Sequence, residues 1–272
     1  MKFDYKITEI QASRAVDFIH KFHYSPVMPS ITKHYLGFLV DGEVKAVLTL
    51  GWGTQPRQTI NKLFPGLETK HYYEIGKMCI DDEMPKNTGS QILSSTIGWM
   101  KQRTDKLFLY TLADGIMGKC GYVYQSANFH YGGSFRTHTY LMQNGEKLHI
   151  RSANDLLRQN QALDNKNKRF GEGIKKRIRL SLDFMEVNNI RMIDGLMFRY
   201  IYPLNKKAKK LMKNGSTLNW NQHYPKDKDL VWMDTTDKKN KTKIDRPSFS
   251  FDEPKYNHIP QSGGSTLDKF FS

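Results

Sequence analysis

Residues 72–114 read YYEIGKMCIDDEMPKNTGSQILSSTIGWMKQRTDKLFLYTLAD, and the division of this stretch decides the fold. YYEIGKMCID has the length and apolar content of a buried strand. DEMPKNTG is a loop by its Pro, Asn and Gly. From Ser90 to about Arg103, Ile92, Leu93, Thr96, Ile97 and Met100 recur on one helical face. KLFLYTLAD is nearly continuous in apolar residues, as a central strand covered on both sides must be. Strand, helix and strand in sequence place the chain in the α/β class, with a mixed central sheet flanked by helices.

Upstream, residues 3–10 (FDYKITEI) alternate as a strand, and Thr8 with Gln11 has the spacing of a capping box. Ala12, Ala15, Val16, Ile19 and Phe22 continue as a helix. YLGFLV and EVKAVLTLG are two strands joined by Asp41-Gly42, a type I′ turn pair. A loop is expected from about 53 to 70. Downstream, residues 117–131 form a short helix entered through glycines, and SFRTHTYLM with KLHIR forms a hairpin around Asn144-Gly145. Residues 152–193 are a polar insertion with a helix from about 172, and GLMFRYIYPL is the last strand, stopped by Pro203. The expected division is a catalytic domain over 1–205, a basic extension with Trp220, Tyr224 and Trp232 over 206–233, and a flexible tail over 234–272.

Two constellations carry chemistry. The loop from Asp82 to Ser90 opens a helix, so its unpaired N–H groups and the positive end of the helix dipole suit a pyrophosphate. Asn87, Thr88, Gly89 and Ser90 supply the turn and the caps; an ordinary helix start reads the same way. The second is residues 110–133, YTLADGIMGKCGYVYQSANFHYGG, in which Asp114 ends a strand at the edge where open sheets place ligands.

This second segment resembles the bacteriophage Mom family. That family has an Ala-Asp turn, an Ile-Tyr-Gln-Ala-Thr-Asn-Trp-type helix and then Tyr-x-Gly. Tyr124, Gln125, Ala127, Asn128, Tyr131 and Gly133 match it, with Phe129 in the Trp place. His23-Tyr24-Ser25, Glu74 with Lys77, and GEKLHIR ending in His149-x-Arg151 follow in the family's order. Lys77 stands where an Arg is expected, and the Gly-rich Arg/Gln-x-x-Gly-x-Gly/Ala loop of acyltransferases is absent.

The resemblance implies an acyltransferase-type (GNAT-like) fold and transfer of a small acyl or carbamoylmethyl group to the N6 amine of adenine in phage DNA, shielding it from restriction. His23, Asp114 and Tyr124 are the expected catalytic residues, with Asp114 or His23 on the attacking amine and Tyr124 protonating the leaving group. Tyr24, Ser25, Gln125, Asn128, Tyr131, His149 and Arg151 would hold the substrate. Glu74, Lys77, Asn87, Thr88, Gly89 and Ser90 would hold the donor, acetyl-CoA or another acyl donor. Each has a plainer reading. His23 suits a helix C-cap, Asp114 a turn, His149 and Arg151 a solvent-facing strand, and Tyr124 with Asn128 simple packing. His23, Asp114, His130 and His149 are ligand types for iron or zinc, but no local spacing enforces a metal site, and none is expected; the resemblance alone leaves iron open.

The 42 Lys and Arg against 27 Asp and Glu give a formal charge of +15, which favours a polyanion, here double-stranded DNA. No apolar run has the length of a membrane span, Cys79 and Cys120 lack a CxxC partner, and a soluble protein of the infected host cytoplasm is expected. The end of the chain, GGSTLDKFFS, groups Leu267, Phe270 and Phe271 like the peptides that dock on replication sliding clamps. The competing readings are an N-acyltransferase for a small amine or protein, and a noncatalytic replication accessory.

Overall fold

The apolar runs become strands of one mixed sheet. The computed structural model describes residues 4–23, 28–29, 31–53, 56–148, 180, 182–237 and 239–250. In chain order these form β1 (Lys6–Glu9), α1 (Ala12–Phe22), β2 (Ile31–Val40), β3 (Glu43–Trp52), α2 (Pro56–Leu63), β4 (Tyr72–Ile80), α3 (Thr88–Arg103) and β5 (Phe108–Asp114). Then follow α4 (Tyr122–Ser126), β6 (His130–Leu141), β7 (Lys147–Leu148), α5 (Leu182–Val187), β8 (Arg191–Pro203), α6 (Lys206–Asn214), β9 (Trp232–Asp234) and β10 (Thr242–Ile244). The sheet order is β1-β2-β3-β4-β5-β8-β6-β7, with β9 on β8 and β10 on β9. Among the described strand pairs only β4 and β5 run parallel, as the crossover through α3 requires.

The two faces of the sheet bury different helices. On the front, Ile92, Leu93, Ile97 and Met100 of α3 pack on Leu48, Leu50, Ile75 and Leu109, with Phe129, Phe198 and Tyr200 extending the same core. On the back, Ala15, Val16 and Ile19 of α1 cover Val47 and Cys79. Also on the back, Ile60 and Leu63 of α2 and Ala208 of α6 cover Tyr72, Phe108, Tyr110 and Ile201. The apolar stripes of these amphipathic helices supply the driving force for both layers.

One irregularity sets up the site. Leu50 pairs with Ile75 but Thr49 with Lys77, so Gly76 is an extra residue on β4. The extra residue shifts the alternation by one position: Tyr72, Glu74, Lys77 and Cys79 share the back face.

Several local expectations change. Thr8 is paired with Gly37 inside β1, so its backbone is extended and it cannot cap; α1 starts at Ala12 after Gln11, whose side chain makes no capping bond. The Asp41-Gly42 turn is as read, with φ of 50° and 86°. The 53–70 stretch contains α2, whose PRQTINKL is polar except for the buried Ile60 and Leu63. α3 begins at Thr88, two residues before Ser90, after Asn87 at φ 71°. β9 straddles the boundary read between the extension and the tail at 233/234, and β10 lies inside the stretch read as tail. β9 extends the sheet at Ile193–Asp194 of β8, and the Trp232 indole N–H donates to the Ile116 carbonyl at 2.9 Å. Tyr24, Ser25, His149, Arg151 and the peptide with Leu267, Phe270 and Phe271 lie outside the described residues, as does most of the 152–193 insertion. Among the described residues no helix is long and apolar enough to cross a membrane.

Candidate active site

β4 and β5 stay together for only three residue pairs, ending at Glu74 with Tyr110. Beyond that point β4 continues on β3 to the Ile80–Ala46 pair, while β5 continues on β8 to the Asp114–Met197 pair. The C-terminal halves of the two strands have no ladder between them, and a notch opens in the middle of the sheet. A notch there exposes backbone polar groups and both faces to a ligand, at the strand ends where open α/β sheets bind. The start of α3 and the short α4 border it on the front.

Glu74 and Tyr124 flank the notch's apex from opposite faces of the sheet. The Glu74 carboxyl lies against Gly53, whose N–H it accepts; a Cβ on Gly53 would stand 2.8 Å from Oε2. Burial pushes the Glu74 carboxyl up to about 7, and the Gly53 N–H opposes part of that rise. Tyr124, on α4, is hydrogen-bonded to Thr111 of β5 and feels the Glu74 charge. Burial raises its phenol above the ordinary value, so it stays protonated near neutrality. The apex therefore pairs a carboxylate that takes protons near pH 7 with a phenol that can give one.

Deeper along the notch the charges are mostly positive. Lys77 is 8% exposed, and burial, with Lys147 nearby, pulls its amine down to about 7. Lys147 reaches across from β7 to Asp114, Nζ to Oδ2 at 2.6 Å. The other Asp114 oxygen accepts the Ile116 N–H at 3.0 Å, which fixes the turn after β5. Lys119 is likewise held down by burial. Arg246 arrives from beyond β10 and donates to the Met117 carbonyl at 2.9 Å. Asp114 thus acts as an anchor for a lysine and a turn, with both oxygens engaged.

The α3 start offers less than a glycine cradle. Thr88 and Ser90 donate their hydroxyls to the Pro85 and Asn87 carbonyls at 2.7 and 2.9 Å. Gly89 is explained by packing, since a Cβ there would meet Val123 of α4 at 2.7 Å. For a phosphate-bearing donor this loop would provide the first amides and dipole of a 16-residue helix beside the exposed Lys86.

The remaining expected residues have other surroundings. His23 caps α1, its N–H on the Ile19 carbonyl at 2.9 Å. The Gln125 amide is spent on Tyr200 and on the Cys120 and Pro225 carbonyls. Asn128 is exposed and takes φ 59° to end the α4 turn. Tyr131 is buried against Phe198 and Tyr200.

Four residues that sequence reasoning passed over stand around the notch. Thr111 and Tyr110 were hidden in an apolar run, and Lys147 lies two positions before His149 in a quoted motif. Arg199 was the most legible, a lone cation in GLMFRYIYPL; its guanidinium lies 4.2 Å from the centre of the Phe135 ring.

Comparisons with known proteins bear on this arrangement. A GNAT-family N-acetyltransferase from Escherichia coli, solved with CoA, matches with a TM-score of 0.34 at 10% identity, covering 47% of this chain and 70% of its own. A ribosomal-protein-S5-alanine acetyltransferase from Vibrio fischeri matches with a TM-score of 0.36 at 14% identity, covering 50% and 85%. The methylcarbamoylase mom of Escherichia phage Mu is 25% identical over 224 residues, 81% of this chain and 83% of the relative. The Mom protein family profile matches residues 4–226, which include every strand from β1 to β8 and both residues of the apex, and the chain therefore belongs to the Mom family.

Proposed function

We propose that this chain is a transferase that places a small acyl or carbamoylmethyl group on the N6 amine of adenine in double-stranded DNA. The observation that carries this reading is the apex, where β4 and β5 part after the Glu74–Tyr110 pair and the Tyr124 phenol, on the other face of the sheet, lies close enough to feel the Glu74 charge. Two reactants can approach such a gap from opposite faces and meet between a base and an acid. The family membership and the phage Mu relative's name, methylcarbamoylase, support group transfer, and the charge of +15 supports a nucleic acid as acceptor. A CoA-type or other activated donor would supply an electrophilic carbon and carry away the leaving group.

Adenine N6 is half-committed to base pairing in a duplex, so the base must leave the stack before its amine can attack. Glu74 as carboxylate accepts a proton from N6 while the new N6–carbon bond forms. Tyr124 gives its proton to the group that departs as the donor bond breaks. Lys77, Lys119 and Lys147 hold positive potential in the notch, which draws an anionic donor towards the gap. The modified adenine would shield phage DNA from restriction.

Mass spectrometry of nucleosides from DNA of cells expressing the chain tests the reading. A new deoxyadenosine derivative, absent with Tyr124→Phe, is expected. Unmodified DNA together with acylated protein or small amines would assign the apex to another acceptor, and no modified product of any kind would leave the fold a binding module.

A further inference from the structure

Behind the apex, on the back face, lies a cavity of about 380 Å³ whose lining includes Glu74, Tyr110, Leu112, Arg199 and Phe135. Its volume falls in the roughly 300–1,000 Å³ range of small-molecule sites. The polar groups in it are ordered as a relay. Arg199 sits over Phe135 and hydrogen-bonds the Tyr110 hydroxyl, and its Nη1 donates to the Ser134 carbonyl at 3.3 Å. Burial, and then the Glu74 charge, raise the Tyr110 phenol, so it remains a proton donor. Beside it Glu74 is an acceptor. A donor next to an acceptor complements a ring nitrogen next to an exocyclic amine.

The cavity has a cation of its own in Lys62 of α2, and α6 supplies more positive charge elsewhere on the same side of the sheet. α6 carries five lysines in nine residues, Lys206, Lys207, Lys209, Lys210 and Lys213. The chain after it is tied to α2 at the cavity's edge, Ser216 and Thr217 donating to the Leu63 and Lys62 carbonyls at 3.1 and 2.5 Å. A strand backbone held at Lys62 would have a base within reach of the cavity.

We propose that this cavity receives the extruded adenine, with Tyr110 donating to N1, Glu74 accepting from N6, and the Arg199–Phe135 pair supplying the stacking surface. The proposal rests on the reading of the chain as an adenine-modifying enzyme and adds the base-recognition residues. The amine then lies on Glu74 at the gap, facing Tyr124. Guanine presents the opposite pattern, O6 as acceptor and N1–H as donor, and is refused. Cytosine carries the same amine and ring nitrogen but is a smaller ring.

Binding measurements need no donor and, on single strands, no base flipping. Fluorescence anisotropy of the full-length protein is measured with labelled thymidine 12-mers carrying one central adenine, 7-deazaadenine, 1-deazaadenine, cytosine or thymine. Adenine and 7-deazaadenine should bind alike, and 1-deazaadenine, lacking the N1 acceptor, more weakly by about tenfold or less, the worth of one neutral hydrogen bond. Tyr110→Phe should erase the difference between adenine and 1-deazaadenine while leaving the all-thymine Kd unchanged, which also reports an intact fold. Equal wild-type affinity for adenine and 1-deazaadenine, or a preference that survives Tyr110→Phe, overturns the proposal; cytosine bound as well as adenine overturns adenine as occupant. The nucleoside analysis stands apart from these outcomes. Modified adenine in cells without the oligonucleotide preference removes this cavity and keeps the enzyme, and the preference without modification does the reverse.

Discussion

Glu74 and Lys77, on one face of β4, are displaced towards neutrality from opposite sides, one up to about 7 and the other down to about 7. Between its ordinary carboxylate range and pH 7, Glu74 holds its proton in the folded state and loses it in the unfolded one, so stability falls as pH rises through that window. Between pH 7 and the ordinary lysine range the unfolded state holds the extra proton on Lys77, and stability rises with pH. The two contributions meet in a trough near pH 7. Glu74→Gln should accordingly raise Tm at pH 8 by roughly 2–4 °C, the effect of about 1 kcal/mol in a domain this size, and leave it almost unchanged at pH 4.5. A thermal shift series shows it, and an equal gain at both pH values would mean Glu74 is not buried uncharged. Activity should show the complementary trend, increasing through pH 7 as Glu74 ionises. Tyr124→Phe should lower single-turnover modification by about 10²–10⁴-fold with the fold intact. Of these residues Tyr124, Glu74 and Lys77 were legible as members of a motif. The role proposed for Tyr124 was legible as well, whereas Glu74 and Lys77 read only as residues holding the donor, because the burial that shifts them belongs to the tertiary structure.

The strand, loop, helix and strand of residues 72–114 could be read from apolar periodicity because each is long and its pattern consistent. The notch could not, since it depends on where β5 leaves β4 for β8, a pairing with residues 197–203 that no local pattern encodes. The bulge left a trace: the front-facing apolar positions Tyr73, Ile75, Met78 and Ile80 are spaced two, three and two apart, where an unbroken strand keeps a period of two. α2 escaped notice because two buried residues in eight make a weak helical signal. At this scale Gly53 is the position to probe. Gly53→Ala would put a methyl group 2.8 Å from the Glu74 carboxyl and push it away, and ångström-scale misplacement of a catalytic group costs on the order of 100-fold. Nucleoside analysis beside circular dichroism should show lost modification in a normally folded protein. Unchanged modification would free Glu74 from the mechanism.

Across the whole molecule the excess charge should make DNA binding strongly salt-dependent, and the lysines of α6 should account for part of it. Changing Lys206, Lys207, Lys209 and Lys210 to Gln should weaken binding to all duplexes alike and flatten the salt dependence by about 0.9 per lost phosphate contact. An unaltered slope in a titration from 50 to 200 mM salt, over which the screening length falls by about half, would move the DNA to another surface. The charge was open to composition, whereas the placement of residues 232–237 and 239–250 was not. That stretch has few aliphatics, and it is held by β8, by Arg246 on the Met117 carbonyl and by the Ser250 N–H on the Gly145 carbonyl. The place of β8 has one more consequence. It lies between β5 and β6, yet its residues follow both in the chain, so Phe108 must wait for Pro203 before the sheet can close. Such non-local pairing slows folding and leaves two bare strand edges on any nascent or truncated chain. The polypeptide emerging from the ribosome is consequently inert until its last long strand has been made, and a protease that clips before residue 191 would yield an aggregating fragment in place of a weakened protein.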